Sequence, residues 1–280
     1  SEKPHTDENE IVCWHYDHTS GHTLKGINFI TALYHVQGVS LPVDYHVVSK
    51  PDIVTDPETG KQKRRATVTK NEVYQQLLRQ VVANQIPFGY VVNDVWYASA
   101  DNMKFVKQTL KRHFVMPLKT NRKVALSLDS HKQGQYVRVD ALGLDAGTTV
   151  MVYLEGVDFP LHLVKQVFTN GDGSVGILYL VTSDLELTYD GITTYYGKRW
   201  HVEPYHKSLK QNASLSLSPT RTVTTQKNHL FASLCAYLKL EMLKVTTKTN
   251  HFALKSKLYL RALRTAFDTL TDLQPIRLAA

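Results

Sequence analysis

Tyr195-Tyr196-Gly197-Lys198-Arg199-Trp200-His201-Val202-Glu203-Pro204-Tyr205-His206-Lys207-Ser208-Leu209-Lys210 is the stretch on which the fold assignment turns. Wound as an α-helix, Tyr196, Arg199, Glu203 and Lys210 fall at about 0°, 300°, 340° and 320°, with Lys207 at about 20°. One aromatic ring, one carboxylate and several cations therefore share a narrow face. A lone carboxylate among cations suits a divalent metal beside a polyanion, the cations neutralising phosphates. The bland alternative is a surface helix with a mixed-charge face. Pro204 disfavours helical geometry at Glu203 and removes a donor, so the helix either kinks there or begins anew.

Moving outward toward the N-terminus, residues 122–183 hold about five segments rich in Val, Leu and Tyr: 124–128, 135–142, 148–155, 160–168 and 174–181. Gln133-Gly134, Asp145-Ala146-Gly147 and Asn170-Gly171-Asp172-Gly173 separate them. That spacing predicts an antiparallel β region. Phe114–Leu118 reads as a strand, and a helix is predicted over about 101–113. Before it, Phe88–Tyr97 reads as a short apolar strand that delivers Asp94 near its end. A carboxylate there, in an alternating strand–helix chain, sits where α/β folds build sites, although Asp is also a common turn cap. Residues 70–85 have helical periodicity through Val73, Leu77 and Val81, ended by Pro87.

Nearer the start, Gly26–Tyr34 and Val39–Val48 read as two strands around Gln37-Gly38. Residues 50–69 read as a polar loop. Its run Lys61-Gln62-Lys63-Arg64-Arg65 is either a phosphate-contacting patch or a solvated one. His15, Asp17, His18 and His22 crowd together, but no spacing among them matches a standard zinc pattern, and a polar strand end and turn is the favoured reading. Beyond Lys210, helices are predicted over 224–245 and 251–270. The second has one apolar face (Leu260, Leu263, Phe267, Leu270) and a basic stripe (Lys257, Arg261, Arg264), which is a solvated face or a DNA-backbone contact.

Across all 280 residues, hydrophobic content of 42% suffices for a substantial core, and the net charge of +8 suits a nucleic-acid partner. Two cysteines, Cys13 and Cys235, exclude a disulfide framework and fit a reducing compartment. No apolar run reaches the length of a membrane span, and no secretory segment opens the chain.

The spacing Tyr196-x2-Arg199-x3-Glu203-x6-Lys210 resembles the glutamate signature of the DDE transposases of bacterial insertion sequences, specifically the insertion-sequence-four family. Asp94-Val95-Trp96-Tyr97 is similar to the Asp-x-Trp-Tyr context of that family's second catalytic aspartate. The resemblance implies an RNase H-like α/β catalytic core with an inserted antiparallel β subdomain. It divides the chain into a first part of the core (1–121), a β-rich insertion (122–185) and a C-terminal helical part carrying the glutamate (186–280). It further implies hydrolysis of phosphodiesters and strand transfer, with two Mg²⁺ ions, replaceable by Mn²⁺, held by carboxylates. Asp94 and Glu203 become catalytic metal ligands. Tyr196, Arg199 and Lys210 grip phosphates of double-stranded DNA at the terminal inverted repeats. A homodimer in a synaptic complex, acting on target DNA in the bacterial cytoplasm at the nucleoid, with no membrane, completes the expectation.

One carboxylate is missing from that pattern. The family's first aspartate lies in an Asp-Asp-Thr context, and no such pair occurs here. The resemblance sets a Glu-Lys-Pro stretch like Glu2-Lys3-Pro4 shortly after the pair, so the expectation is an N-terminally truncated transposase, with Asp17 the one substitute in the chain. The rivals are a non-transposing nuclease of the same fold, a non-catalytic DNA-binding protein derived from a transposase, and a zinc module built on the histidine cluster.

Overall fold

The computed structural model describes residues 2–17 and 21–272. The chain forms two compact units, Ser1–Thr67 with Val202–Ala280, and Val68–His201.

The first unit opens with three antiparallel hairpins. Strands β1 (Val12–Asp17) and β2 (His22–Ile27) pair with Trp14 opposite Lys25. Strands β3 (Phe29–Val36) and β4 (Val39–Val47) pair around Gln37-Gly38, whose φ values of 47° and 79° are those of the tight turn that matches strand twist. Strands β5 (Asp52–Thr55) and β6 (Gln62–Arg65) form within the stretch that composition marks as a loop. Their turn is built by Asp56, whose carboxylate accepts the Glu58 and Thr59 N–H groups at 3.1 Å each and the Lys63 ammonium at 2.7 Å. These donors hold its acidity at about 2.

The second unit starts with helix α1 (Lys70–Ala83), closed at its N-terminus by a reciprocal Thr69–Glu72 capping box. It buries Val73, Tyr74, Leu77 and Val81, as the periodicity predicts. Strand β7 (Tyr90–Val92) is shorter than the apolar run 88–97, because Asn93 and Asp94 turn the backbone into a single 3₁₀ turn, Val95–Tyr97. Helix α2 (Ala100–Lys104) widens into a π-helical turn, Phe105–Thr109. Strand β8 (His113–Leu118) follows, buried along nearly its whole length, as befits a strand covered on both faces.

The predicted β region then appears, with two departures. Strand β9 (Lys123–Ala125) stops early because Ser127 caps helix α3 (Leu128–Lys132), and β10 (Val137–Arg138) gives way to the 3₁₀ turn Val139–Ala141. Strands β11 (Thr149–Leu154), β12 (Leu161–Thr169) and β13 (Val175–Thr182) match their expected positions, and helix α4 (Tyr189–Gly197) ends the block. All the strands of this unit join one mixed sheet of order β10-β9-β11-β12-β13-β8-β7. Only β7 and β8 run parallel in it; the other pairs are antiparallel. The strands expected as a β-rich block are thus joined, through the β13–β8 pair, to β8, the parallel neighbour of the strand that leads to Asp94.

The chain returns to the first unit with α5 (Val202–Gln211), α6 (Val223–Thr247) and α7 (His251–Asp272). Tyr205, Leu209, Leu230, Leu234 and Tyr237 form its core, with Phe29, Leu33, Tyr45 and Val47 of β3 and β4 packed on it. Lys3 is buried beside this core, its ammonium donating to the Ser218 carbonyl at 3.1 Å. Cys13 and Cys235 are free thiols.

Candidate active site

Asp94 owes its position to the residues on either side of it. The Tyr74 hydroxyl on α1 donates to Asn93 Oδ1 at 3.1 Å, and Asn93 Nδ2 donates to the Asp94 carbonyl at 2.8 Å. Asn93 is buried, so this pair fixes the strand end. The Asp94 side chain accepts the Val95 N–H and caps the 3₁₀ turn, so the structural role open to an Asp here is filled. Its carboxylate is nonetheless exposed. Tyr97 stacks on Tyr74 with centroids 5.0 Å apart and planes 14° apart, pinning the far side of the turn. Because β7 and β8 are parallel, with Val92 opposite Val115, Asp94 lies where both strands finish.

Helix α4 packs on a face of the same sheet, against β8, β12 and β13. Ile192 is fully buried against Val115, Val164 and Leu180, and Tyr195 stacks on Tyr90 at 4.2 Å. Tyr196 packs against this cluster. Burial raises the pKa of its hydroxyl, the Arg199 charge lowers it, and the Asp94 carboxylate raises it again. The Arg199 guanidinium lies 5.7 Å from the Tyr196 ring and 4.9 Å from the Trp200 ring. Asp94, Tyr196 and Arg199 therefore share one neighbourhood within the second unit.

Glu203 and Lys210 belong to the first unit. The chain winds as a 3₁₀ turn over Lys198–His201 before α5 starts at Val202. A 3₁₀ turn advances about 120° per residue, so the single-face arithmetic of a continuous helix stops there. Pro204 sits in the first turn of α5, where a missing N–H costs nothing. Within α5 the arithmetic holds: Tyr205, Ser208 and Leu209 are buried, while Glu203, Lys207 and Lys210 are exposed together. Burial, and then the Lys210 charge, depress the His206 imidazole to about 4.

The other sequence candidates resolve as follows. His18 lies outside the described residues. Among the described residues, no three His, Cys, Asp or Glu side chains are grouped to hold a metal. A site of one or two carboxylates completed by substrate phosphates and water is Mg²⁺ chemistry rather than zinc chemistry, and the exposed acids fit it. Asn93 and Tyr74 escaped the sequence reading, since nothing in spacing marks a buried amide as the brace of its neighbour.

These features define a mixed α/β protein with an acidic side chain at the shared end of two parallel strands. Residues 43–239 match the transposase DDE domain model, and the chain belongs to that family. The match runs through both Asp94 and Glu203. Membership makes this a transposase-domain protein, of a family that acts on DNA and generally uses divalent metal ions. No curated protein matches the chain. Among the described residues no helix is long and apolar enough to cross a membrane.

Proposed function

We propose that this protein is a DDE transposase of the insertion-sequence-four type, cutting and joining DNA at transposon ends. The reading takes 1–121 and 186–280 as parts of an RNase H-like core and 122–185 as its β-rich insertion. Asp94 and Glu203 would hold Mg²⁺, and Asp17 is the candidate in this sequence for a third carboxylate. Bound there, the metal would activate the attacking oxygen and stabilise the leaving one.

The chain's own residues orient the DNA. Arg199 offers a planar fork for phosphate oxygens, Lys210 a point charge, and Tyr196 a hydroxyl beside Arg199. Terminal inverted repeats are the substrate in this reading, with two copies of the chain bridging two ends in the cytoplasm at the nucleoid. The observation that carries the reading is the exposed Asp94 carboxylate at the shared end of two parallel strands, with Tyr196 and Arg199 beside it. The four-residue signature across α4, the 3₁₀ turn Lys198–His201 and α5 adds to it.

The test is Mg²⁺-dependent cleavage of a cognate transposon end by the full chain. Asp94→Asn and Glu203→Gln should each lower the rate at least about a hundredfold, since metal-held charge stabilisation is worth several kcal/mol. Loss of cutting in Asp17→Ala would assign the third ligand. DNA binding with no metal binding and no cutting, untouched by Asp94→Asn, would replace this reading with a non-catalytic transposase-derived DNA-binding protein.

A further inference from the structure

Strands β12 and β13 run past their neighbours in the sheet. Among the described residues, β11 pairs with β12 only from Leu161 to Val164, and β8 pairs with β13 only from Tyr179 to Thr182. The β12–β13 ladder itself continues without a register shift to Thr169 opposite Val175. Residues 166–178 therefore stand out as a two-stranded ribbon. Val175 and Ile177 on it are 66% and 51% exposed. Exposed strand edges are usually guarded by charge, proline or a bulge. Strand β6 carries Lys63 and Arg65 in that way. Ser174-Val175-Gly176-Ile177-Leu178 carries no such guard.

The turn decides which way the edge groups point. The Asn170 N–H donates to the Ser174 carbonyl at 2.8 Å. Hydrogen-bonded and non-hydrogen-bonded pairs alternate along an antiparallel ladder, so Gly176 bonds back to Phe168. Val175 and Ile177 then aim their N–H and C=O groups outward, along the side that β8 does not reach. Charge argues for the occupant. The chain carries a net +8, so two copies repel over most of their surface. Residues 166–178 hold no cation, and their one charge is the Asp172 carboxylate in the turn. That is a poor surface for a polyanion and a permissive one for a second copy.

We propose that residues 175–177 of two copies pair edge to edge, antiparallel, about a two-fold axis at Gly176. Val175 exchanges both backbone hydrogen bonds with Ile177 of the second copy, and the symmetry repeats the pair, making about four bonds. Gly176 meets its equivalent at the narrow position between them, where the lack of a side chain lets the backbones close. The turn of each copy then reaches the C-terminal end of β8 in the other. Asp172 stands in that turn and Lys119, exposed just after β8, at that end, so opposite charges meet twice. The contact is smaller than the roughly 1,200 Å² of a stable complex, so the pairing is transient. It goes beyond the DNA-bridging pair of copies proposed above, because it needs neither DNA nor metal.

The test uses full-length Cys235→Ser chains, whose remaining Cys13 is buried, carrying either Val175→Cys or Ile177→Cys. In the proposed register these two positions lie about 5.5 Å apart between copies, within disulfide reach, while like positions are diagonal and beyond about 7 Å. Mild oxidation of the mixture at about 100 μM without DNA should give a disulfide dimer at least about tenfold faster than either variant alone. Asp172→Lys in both chains should slow the mixed reaction about threefold at low salt, and Lys119→Asp added to it should restore the rate. Circular dichroism of each variant excludes a folding artefact. Equal rates for like and mixed pairs, or no mixed disulfide, overturns the proposal. Duplex DNA that shields Val175→Cys from a maleimide, with no mixed disulfide formed, assigns the ribbon to DNA and overturns it too. Asp94→Asn should trap at its parent's rate. Cutting by chains that never trap sinks the ribbon pairing alone, and trapping without cutting sinks the catalytic reading alone.

Discussion

Two acidic neighbourhoods of this protein have opposite physics. In the first unit, Glu241 on α6 is buried, its side chain 4% exposed. It accepts the Tyr237 hydroxyl at 2.9 Å and the Lys244 ammonium at 3.0 Å, and lies 3.6 Å from His251 Nε2. The network continues: Asn212 Nδ2 donates to Ser208 Oγ at 3.0 Å, whose hydroxyl then donates to His251 Nδ1 at 2.8 Å. These contacts run across α5, α6 and α7. In the second unit, Asp94 is exposed, braced by buried neighbours rather than buried itself. Glu241 serves the fold, since its surroundings satisfy it; Asp94 is placed outward by a rigid turn. Ser208, His251 and Glu241 imitate a nucleophile–base–acid arrangement, yet all three are closed off from solvent, and substrate does not reach them.

The sharpest way to break this contrast is to neutralise each acid. Asp94→Asn should cost at least about a hundredfold in cutting rate while shifting stability by less than about 1 kcal/mol. Glu241→Ala should do the reverse, lowering unfolding free energy in urea by about 3 kcal/mol, because the Tyr237 hydroxyl and the Lys244 ammonium lose their acceptor. If Glu241→Ala is neutral in stability, the division into structural and outward acids fails.

His206 offers a smaller effect inside the first unit. Its imidazole is depressed from 6.5 to about 4, so the unfolded chain binds the proton first as the medium acidifies. The stability it contributes is present above about pH 6.5 and is lost as pH falls toward 4, by up to about 3 kcal/mol. His206→Phe, packed against Tyr205 and Phe29, should flatten that stretch of the pH–stability curve in thermal melts. The smallest effects belong to the cations beside the acids. Arg199→Gln and Lys210→Gln should each reduce the slope of log affinity for duplex DNA against log salt by about 0.9, one phosphate contact apiece. A salt slope unchanged by either would remove them from the DNA interface.

Much of the fold was legible. Helix α1 follows from Val73, Leu77 and Val81 at helical spacing, and the β3–β4 hairpin from Gln37-Gly38. Strand β8 follows from five consecutive buried residues, Phe114–Leu118. What failed did so for local reasons. The β5–β6 hairpin hides in a polar text because only Ile53 and Val54 are apolar, and the turn at Asp56 carries it. The single helix expected through Tyr196–Lys210 changes winding at Lys198–His201, and periodicity assumes one winding throughout. For the candidate site, sequence named Asp94, Tyr196, Arg199, Glu203 and Lys210; the brace from Tyr74 through Asn93 exists only in three dimensions.

In the proposed function Asp94 and Glu203 hold the same metal ion. Replacing Mg²⁺ by Fe²⁺ on the full chain bound to its DNA, then adding ascorbate and peroxide, cuts the polypeptide within a few ångströms of the metal. The account predicts two sets of fragments, one ending near Asp94 and one near Glu203, both lost in Asp94→Asn and in Glu203→Gln. Fragments at one position only, or at Glu203 undiminished by Asp94→Asn, would contradict it.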